Sequence, residues 1–376
     1  LATSGRLTNK NKLAKGPTYS VWAAPAISDG KINTTEVAGK IIAQKTNLVE
    51  GINYLFDKIK GSLCILVLTK EGVYAARDKF GRTTLVIAKN GRGDIAVSSE
   101  TCAFPNLGYQ TIKELSAGEI VSISKKGELK QESSPTNTGK MCAFSWVYTG
   151  YPASSYGGIN VETVRERCGS NLAKRDGIEA DFVTGIPDSG IAHALGYAKT
   201  AKIPYRRPLV KYTPGYGRSY TPPTQKIRDK IAQMKLIPIE SVIRGAKIVV
   251  CDDSIVRGTQ LKNQAISKLW FYGAKEIHVR IACPPLMFPC PYLLSTKRKT
   301  ELAARRAIKS ISNGRAKEAD INGFIDHKSK QYLSMVEKIR KELGVTSLKY
   351  QRVDDMVEAI GLPKEKLCLY CWGGEY

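Results

Sequence analysis

The sequence predicts an α/β protein in two unequal parts, an antiparallel-sheet region followed by a doubly wound parallel sheet. Three observations carry this. Between about 62 and 131 five short stretches, SLCILVLT, GVYAARD, TLVIAK, DIAVSSE and EIVSISK, are each bounded by Gly, Asn or Lys-Gly turn signals, as expected of an antiparallel sheet. The segment KQESSPTNTGK at 130–140 then breaks the pattern with Ser, Pro, Thr and Gly. Beyond it helices and strands alternate, and such βαβ alternation builds a parallel sheet whose ligand site lies at the carboxyl ends of the strands. The boundary is therefore set in the breaking segment, giving parts 1–135 and 136–376.

Within the second part, Val161, Val164, Cys168 and Leu172 recur at helical spacing. DFVTGI follows as a strand, SGIAHALGYAKTA as a helix, KIVVCDD as a strand, TQLKNQAISKLWFYGA as a helix and EIHVRIAC as the next strand. The region 295–361 reads as helical, KQYLSMVEKIRKELG being the clearest amphipathic segment with a Gly stop at 344. The densest basic cluster, KRKTELAARRAIK at 297–309, carries Leu302 and Ile308 on one face and reads as the solvated side of an exposed helix.

A chain of 376 residues can bury two cores. Hydrophobic residues make up 42%, yet the longest clean apolar run, CILVL at 64–68, is strand-sized, so no membrane span is expected. Leu1 follows no signal-like pattern, and a cytoplasmic location is the expectation. The absence of an initial methionine implies processing or a fragment of a longer polypeptide. With 58 Lys+Arg against 34 Asp+Glu, the formal charge of +24 raises the expectation of a polyanionic partner, whether nucleic acid, membrane surface or phosphorylated substrate. Nine cysteines in a cytosolic chain suit core positions or metal ligation better than a disulfide framework.

The most informative stretch is IVVCDDSIVRGTQ at 248–260. It reads as a buried strand, the pair Asp252 and Asp253, a loop of small residues, and a helix starting near Gly258 to Gln260. Backbone N–H groups of such a loop, backed by the positive end of the helix, make an anion site for one phosphate. Ser254 and Thr259 add hydroxyl donors, and Gly258 permits close backbone approach. The spacing is not that of a Walker A loop. Two aspartates in front of the loop suit ribose hydroxyls or a hydrated Mg²⁺, although acidic pairs at strand ends also serve simply as caps.

VVCDDSIVRGT resembles the fingerprint of type I phosphoribosyltransferases, which bind 5-phosphoribosyl-1-pyrophosphate (PRPP), in the version found in the glutamine amidotransferases that open purine synthesis. GIPDSG at 185–190 is similar to that family's pyrophosphate loop, and YGRSYTPPTQKIRDK at 216–230 to its flexible catalytic loop. GINVETVRE and GLPKEKLCLYCW also look familial, so the resemblance covers about 142–376 with specific motifs and 1–131 more diffusely. It implies a type I phosphoribosyltransferase domain behind an incomplete N-terminal-nucleophile-hydrolase domain. By the same resemblance, Asp252 and Asp253 hold the ribose hydroxyls and, with Ser189, Mg²⁺. Ser254, Ile255, Val256, Arg257, Gly258 and Thr259 take the 5-phosphate, and Pro187, Asp188, Ser189 and Gly190 the pyrophosphate. Loss of pyrophosphate leaves an oxocarbenium-like centre, so charge stabilisation and exclusion of water are needed. Lys211 and Arg218 fit the first requirement, and the Gly215–Tyr220 loop, with Tyr220, fits a lid. Lys211 could equally be a surface strand residue, and PGYG a plain turn.

Cys368 and Cys371 form a C-x-x-C pair that alone leaves zinc, redox or chance open. In iron–sulfur members of the resembled family such a pair joins two distant cysteines, and MCAF with Cys142 and PPLMFPCPY with Cys290 fill both positions. The resemblance thus implies a structural 4Fe–4S cluster, with a four-cysteine zinc site as the alternative. Cys64, Cys102, Cys168, Cys251 and Cys283 are expected in the core.

ARDKFGRTTLVIAK, AVSSETCAF and LSAGEIVSI are similar to the second half of the family's glutaminase domain, whose nucleophile is an N-terminal cysteine. Here the first cysteine is Cys64, TSGRLTN offers Ser4 beside Gly5 where the family has Asn-Gly, and NTTEV offers Thr34 where it has Asp. These departures predict a chain that uses free ammonia and does not hydrolyse glutamine. The leading expectation is an amidophosphoribosyltransferase making 5-phosphoribosylamine and pyrophosphate, homo-oligomeric, with purine nucleotides as feedback inhibitors and no nucleic-acid partner. A PRPP-sensing regulator is the competitor, but it would carry a DNA-binding module, and none is read. A salvage enzyme acting on a nucleobase would need neither the glutaminase-like part nor the four cysteines.

Overall fold

In the computed structural model, residues 1–14, 32–212, 236–292, 298–314 and 321–374 are described. The N-terminal strands do not join into one antiparallel sheet as the turn signals predict; they form two. The first has the order β1-β2-β3-β7-β8, from Ala2–Leu7, Gly61–Leu68, Gly72–Arg77, Ile120–Ser124 and Leu129–Ser133. The second has the order β5-β4-β6, from Ile95–Ser98, Val86–Asn90 and Tyr109–Glu114. Local alternation announces a strand but says nothing of which neighbour it pairs with.

Alternation does explain the layering. Leu63, Ile65, Ala76 and Ile120 face a cluster with Val37, Ile41, Ile52 and Leu55 of the helices Thr34–Ile42 and Leu48–Lys58. Cys64, Ala75, Val121 and Ile123, one residue out of phase, face Ile87 of the second sheet and Leu85 and Leu115, which flank its strands. A sheet covered on both faces needs apolar residues at both phases, which is why SLCILVL reads as a continuous run. The helices begin at Asn33 and Asn47, whose side chains accept from Glu36 N at 2.7 Å and Val49 N at 2.8 Å. The segment read as a break at 130–140 is partly strand, because β8 is an edge whose outer positions are exposed and polar.

The second body gathers one core from Cys142 to Trp372. Its four-stranded parallel sheet has the order β12-β15-β16-β17, from Phe182–Gly185, Lys247–Asp252, Glu276–Ile281 and Ser347–Tyr350. The strand β17 lies within a region expected to be helical; four residues with Leu348 and Tyr350 inward and Lys349 outward are too short to declare a period. Between β12 and β15 the chain forms the helix Ile191–Ala201, a parallel bridge from Tyr205 to Val183, and the antiparallel pair β13-β14, Leu209–Lys211 with Leu236–Pro238. The chain therefore passes first to one side of β12 and then, through β15, to the other, so the crevice between these two strands is the switch point of the sheet. Small pairs complete it: β9-β18, Met141–Cys142 with Leu367–Cys368, and β10-β11, Ser155–Tyr156 with Ile159–Asn160. Among the described residues no helix is long and apolar enough to cross a membrane.

Candidate active site

The two loops singled out in the sequence leave β12 and β15 side by side. Gly185 and Gly190 allow this closeness: a Cβ on Gly190 would lie 2.1 Å from the Cys251 carbonyl oxygen, and one on Gly185 would lie 2.4 Å from that of Gly190. The peptide Pro187–Asp188 is cis. Ser189 Oγ donates to Asp252 Oδ1 at 2.8 Å, and Lys211 Nζ pairs with Asp188 Oδ2 at 2.5 Å. Pro187, Asp188, Ser189, Gly190, Lys211 and the Asp252–Asp253 pair are thus one constellation, assembled from three strand ends.

Asp252 and Asp253 are both buried. Asp252 Oδ1 also accepts from Asp253 N at 3.0 Å, and Asp253 Oδ1 from Ser254 N at 2.5 Å, but Asp253 Oδ2 is buried without a partner. Burial pushes the Asp252 carboxyl up to about 6. Burial and then the charge of Asp252 push Asp253 well above the ordinary carboxylate range. Two desolvated acids side by side are unfavourable unless hydroxyls, a cation or both complete their shell.

Beyond the pair, Gly258 has φ +76°, and the helix starts there, with Lys262 N donating to Gly258 O at 2.9 Å. Ile255 is buried and Val256 half-buried, so Ser254 and Arg257 to Thr259 border the open side. The loop is pinned from behind. Ala303 N donates to Val256 O at 2.7 Å, Arg306 Nη2 to Arg257 O at 2.7 Å, and Arg257 pairs with Glu301 at 3.0 Å. The following helix begins with a π-helical stretch, Leu261–Ile266, and continues as Ser267–Phe271. Arg218, Tyr220 and the Gly215–Tyr220 loop lie outside the described residues.

Two neighbours escaped the sequence reading. Tyr148, half-exposed, has its phenol raised first by burial and then by the charges of Asp253 and Asp252. Arg165 is buried and fastens that segment, donating to the carbonyls of Trp146, Tyr148 and Gly150 at 3.0, 2.9 and 2.8 Å. Arg165 does stand within GINVETVRE, already singled out, but a helical arginine gives no local sign of what it reaches.

Cys142, Cys290, Cys368 and Cys371 are neighbours, without standing at metal-binding spacing. Cys142 lies opposite Cys368 in β9-β18. Its thiol is pushed up to about 12 by burial and then by Cys368 and Cys290, while Phe144 N–H and the Ser145 hydroxyl donate to its sulfur. Cys371 is raised chiefly by its hydrogen bond with Cys290, then by burial and by Cys142 and Cys368. Among the described residues no group of three or more His, Cys, Asp or Glu side chains stands at metal-binding spacing. Cys64, Cys168, Cys251 and Cys283 are buried as expected, but Cys102 is only half-buried, in the 3-10 turn Thr101–Ala103, where no strand holds it.

In the N-terminal body, Ser4 lies opposite Cys64 in β1-β2, and Thr34 opens the helix Thr34–Ile42. Gly5, at φ +127°, has no room for a side chain, since a Cβ would lie 2.1 Å from Ser62 O.

A parallel sheet with an acidic pair and a small-residue loop at its switch point places a ligand site where the resemblance to the phosphoribosyltransferase class implies one. No family model matches the chain. It is 34% identical over 333 residues to the amidophosphoribosyltransferase of Methanothermobacter thermautotrophicus, covering 89% of this chain and 64% of that protein. To the enzyme of Bacillus subtilis it is 31% identical over 382 residues, covering 100% and 73%. Among solved structures it is similar to the glutamine PRPP amidotransferase of B. subtilis complexed with ADP and GMP, with TM-score 0.78, 31% identity, and coverage of 100% of this chain and 76% of that one. The chain belongs to the amidophosphoribosyltransferase family, glycosyltransferases that act at the first step of purine biosynthesis.

Proposed function

We propose that this chain transfers the phosphoribosyl group of PRPP to ammonia, giving 5-phosphoribosylamine and pyrophosphate, and that residues 1–135 and 136–376 are its sheet domain and its transferase domain. The observation that carries the reading is the buried Asp252–Asp253 pair, joined through Ser189 to the 187–190 loop and facing the 254–259 loop. Asp252 and Asp253 would accept from the ribose hydroxyls, 254–259 would bind the 5-phosphate, and 187–190 the pyrophosphate. Lys211, with Arg218 and Tyr220, would stabilise charge on the departing pyrophosphate.

The orphaned Asp253 Oδ2 and the raised carboxyls fit Mg²⁺ held by Asp252, Asp253 and Ser189, the substrate supplying further oxygens. Bound there, the cation supplies positive charge to the phosphates and ribose oxygens. The family resemblance supports a 4Fe–4S cluster held by Cys142, Cys290, Cys368 and Cys371, with zinc as the alternative, and Cys142, whose sulfur accepts from Phe144 N–H and the Ser145 hydroxyl, suits a thiolate ligand. Ser4 and Thr34 support use of free ammonia in place of glutamine. The ADP and GMP of the B. subtilis protein support feedback by purine nucleotides; a homo-oligomer and a cytoplasmic location complete the proposal.

The test is pyrophosphate release from PRPP and Mg²⁺ with either ammonium or glutamine, comparing this chain with Asp252→Asn. Release with ammonium alone, lost in the variant, is expected. No release with either donor, from protein that binds PRPP, would sink the reading.

A further inference from the structure

Two helices close on one short turn beside the 187–190 loop. The helix Ile191–Ala201 opens directly on Gly190 and lies against the helix Val161–Lys174 with no side chain between them. A Cβ on Gly169 would stand 1.8 Å from His193 O, and one on Gly196 1.8 Å from Glu166 O. Both helices reach the π-helical turn Ser145–Thr149. Arg165 of the helix Val161–Lys174 takes the carbonyls of Trp146, Tyr148 and Gly150. His193, fully buried in the first turn of the helix Ile191–Ala201, takes the carbonyl that Arg165 leaves between them: its Nε2 lies 3.3 Å from Val147 O, and its Nδ1 3.0 Å from Arg165 O.

Both ring nitrogens thus face an acceptor. Burial and then the charge of Arg165 push the imidazole down to about 4, so near neutral pH the ring has one proton to give. The Arg165 carbonyl sits inside a helix, where the amide four residues on serves it, and the close helix crossing sets its distance from Nδ1 whichever nitrogen is protonated. Val147 O has no such helical donor. Gly150 N donates to Ser145 O at 2.8 Å, Tyr151 N donates to Glu100 Oε2 at 3.1 Å, and Pro152 has no N–H. A buried carbonyl left without a donor is costly, which puts the ring proton on Nε2 and directs it to Val147.

We infer that His193 is a positioning residue of the PRPP crevice: its Nε2–H ties the turn 145–149 to the helix that opens behind the 187–190 loop, so both keep one spacing around the substrate. The inference rests on the PRPP reading proposed above. Tyr148, half-exposed in the middle of that turn, has its phenol raised by burial and then by the charges of Asp253 and Asp252, in keeping with a turn that faces the crevice.

Gln at position 193 carries an amide donor to about the reach of Nε2, and Asn to about that of Nδ1, so the two substitutions separate the two contacts. Mg²⁺ and PRPP are titrated calorimetrically, without ammonia, into the parent, His193→Gln, His193→Asn and His193→Ala, each well below its own melting temperature. His193→Asn and His193→Ala should bind PRPP about tenfold more weakly, and His193→Gln within about twofold of the parent. A residue that only stabilises the fold would lower the melting temperature and leave the affinity of the folded chain unchanged; that outcome overturns the inference. Equal PRPP affinity of the Gln and Asn variants does so too. A ring proton found on Nδ1, from the nitrogen chemical shifts of isotope-labelled parent, also overturns it and requires no variant to fold. Failure of the parent to bind PRPP would instead overturn the site reading beneath it.

Discussion

Two buried aspartates, one in each body, stand in opposite conditions. Asp78, after β3, has both oxygens satisfied: Oδ2 accepts from Leu63 N at 2.8 Å and Ser62 Oγ at 3.2 Å, Oδ1 from Phe80 N at 2.8 Å and Gly81 N at 3.1 Å. Its neighbour Arg77 is equally occupied, donating to the carbonyls of Leu115, Gly81 and Thr83. Asp253, after β15, keeps an orphaned oxygen beside a second buried acid. A carboxylate that spends all its lone pairs on its own fold is a fastener. One that the fold leaves short is prepared for a ligand.

The contrast is broken most directly by removing each charge. Asp252→Asn should lower transferase kcat/KM by about 100-fold or more while leaving the melting temperature unchanged or raised, since a buried like-charge pair is relieved. Asp78→Asn should do the reverse, destabilising by about 3 kcal/mol because backbone donors face an amide nitrogen. Denaturant unfolding and steady-state rates on both variants check the pair; a variant of Asp252 that loses stability and activity together would erase the distinction.

Gly190→Ala comes next. With its new Cβ 2.1 Å from Cys251 O, it must displace the 187–190 loop, and PRPP affinity should fall about tenfold or more, against roughly 1 kcal/mol of strain for Gly258→Ala, whose Cβ meets nothing closer than 3.5 Å. Titration of PRPP into both variants distinguishes a crowded loop from a merely left-handed one.

The pH dependence sharpens the same point. Asp252 is raised from 3.8 to about 6 by burial, so the folded state holds its proton more tightly than the unfolded one. Its contribution to stability is therefore intact below pH 4, falls as pH rises from about 4 to about 6, and is flat above, by roughly 2–3 kcal/mol in all. Urea unfolding across this range should show a steeper slope in the parent than in Asp252→Asn, where Asp253, itself raised by burial, still contributes. Smallest of all, Lys364→Ala on the exposed Asp354 pair should cost no more than about 0.5 kcal/mol and leave activity alone.

Much of the site was legible because its chemistry is local. The acidic pair, the hydroxyls, the glycine at positive φ and the helix that follows lie within thirteen consecutive residues, and βαβ periodicity placed them at a strand's carboxyl end. GIPDSG was recognised by likeness to a family's pyrophosphate loop, and periodicity placed it after a strand. The cysteines were recognised by likeness to a family, since nothing in their spacing brings Cys142 to Cys368; a two-residue strand pair does that. Arg165 and Tyr148 were not legible at all, because a long side chain's reach depends on what packs around its helix.

What the sequence determined by itself is therefore the set of short-range devices: strands, caps, turns and the anion loop, each dictated by neighbours a few residues apart. Tertiary structure alone decided how the N-terminal strands divide into two sheets, that Ser347–Tyr350 joins the parallel sheet, and that His193 meets Val147 behind the 187–190 loop. Those outcomes depend on pairing and burial between segments far apart in the chain, where backbone hydrogen-bonding groups are identical and only the packed whole selects among partners.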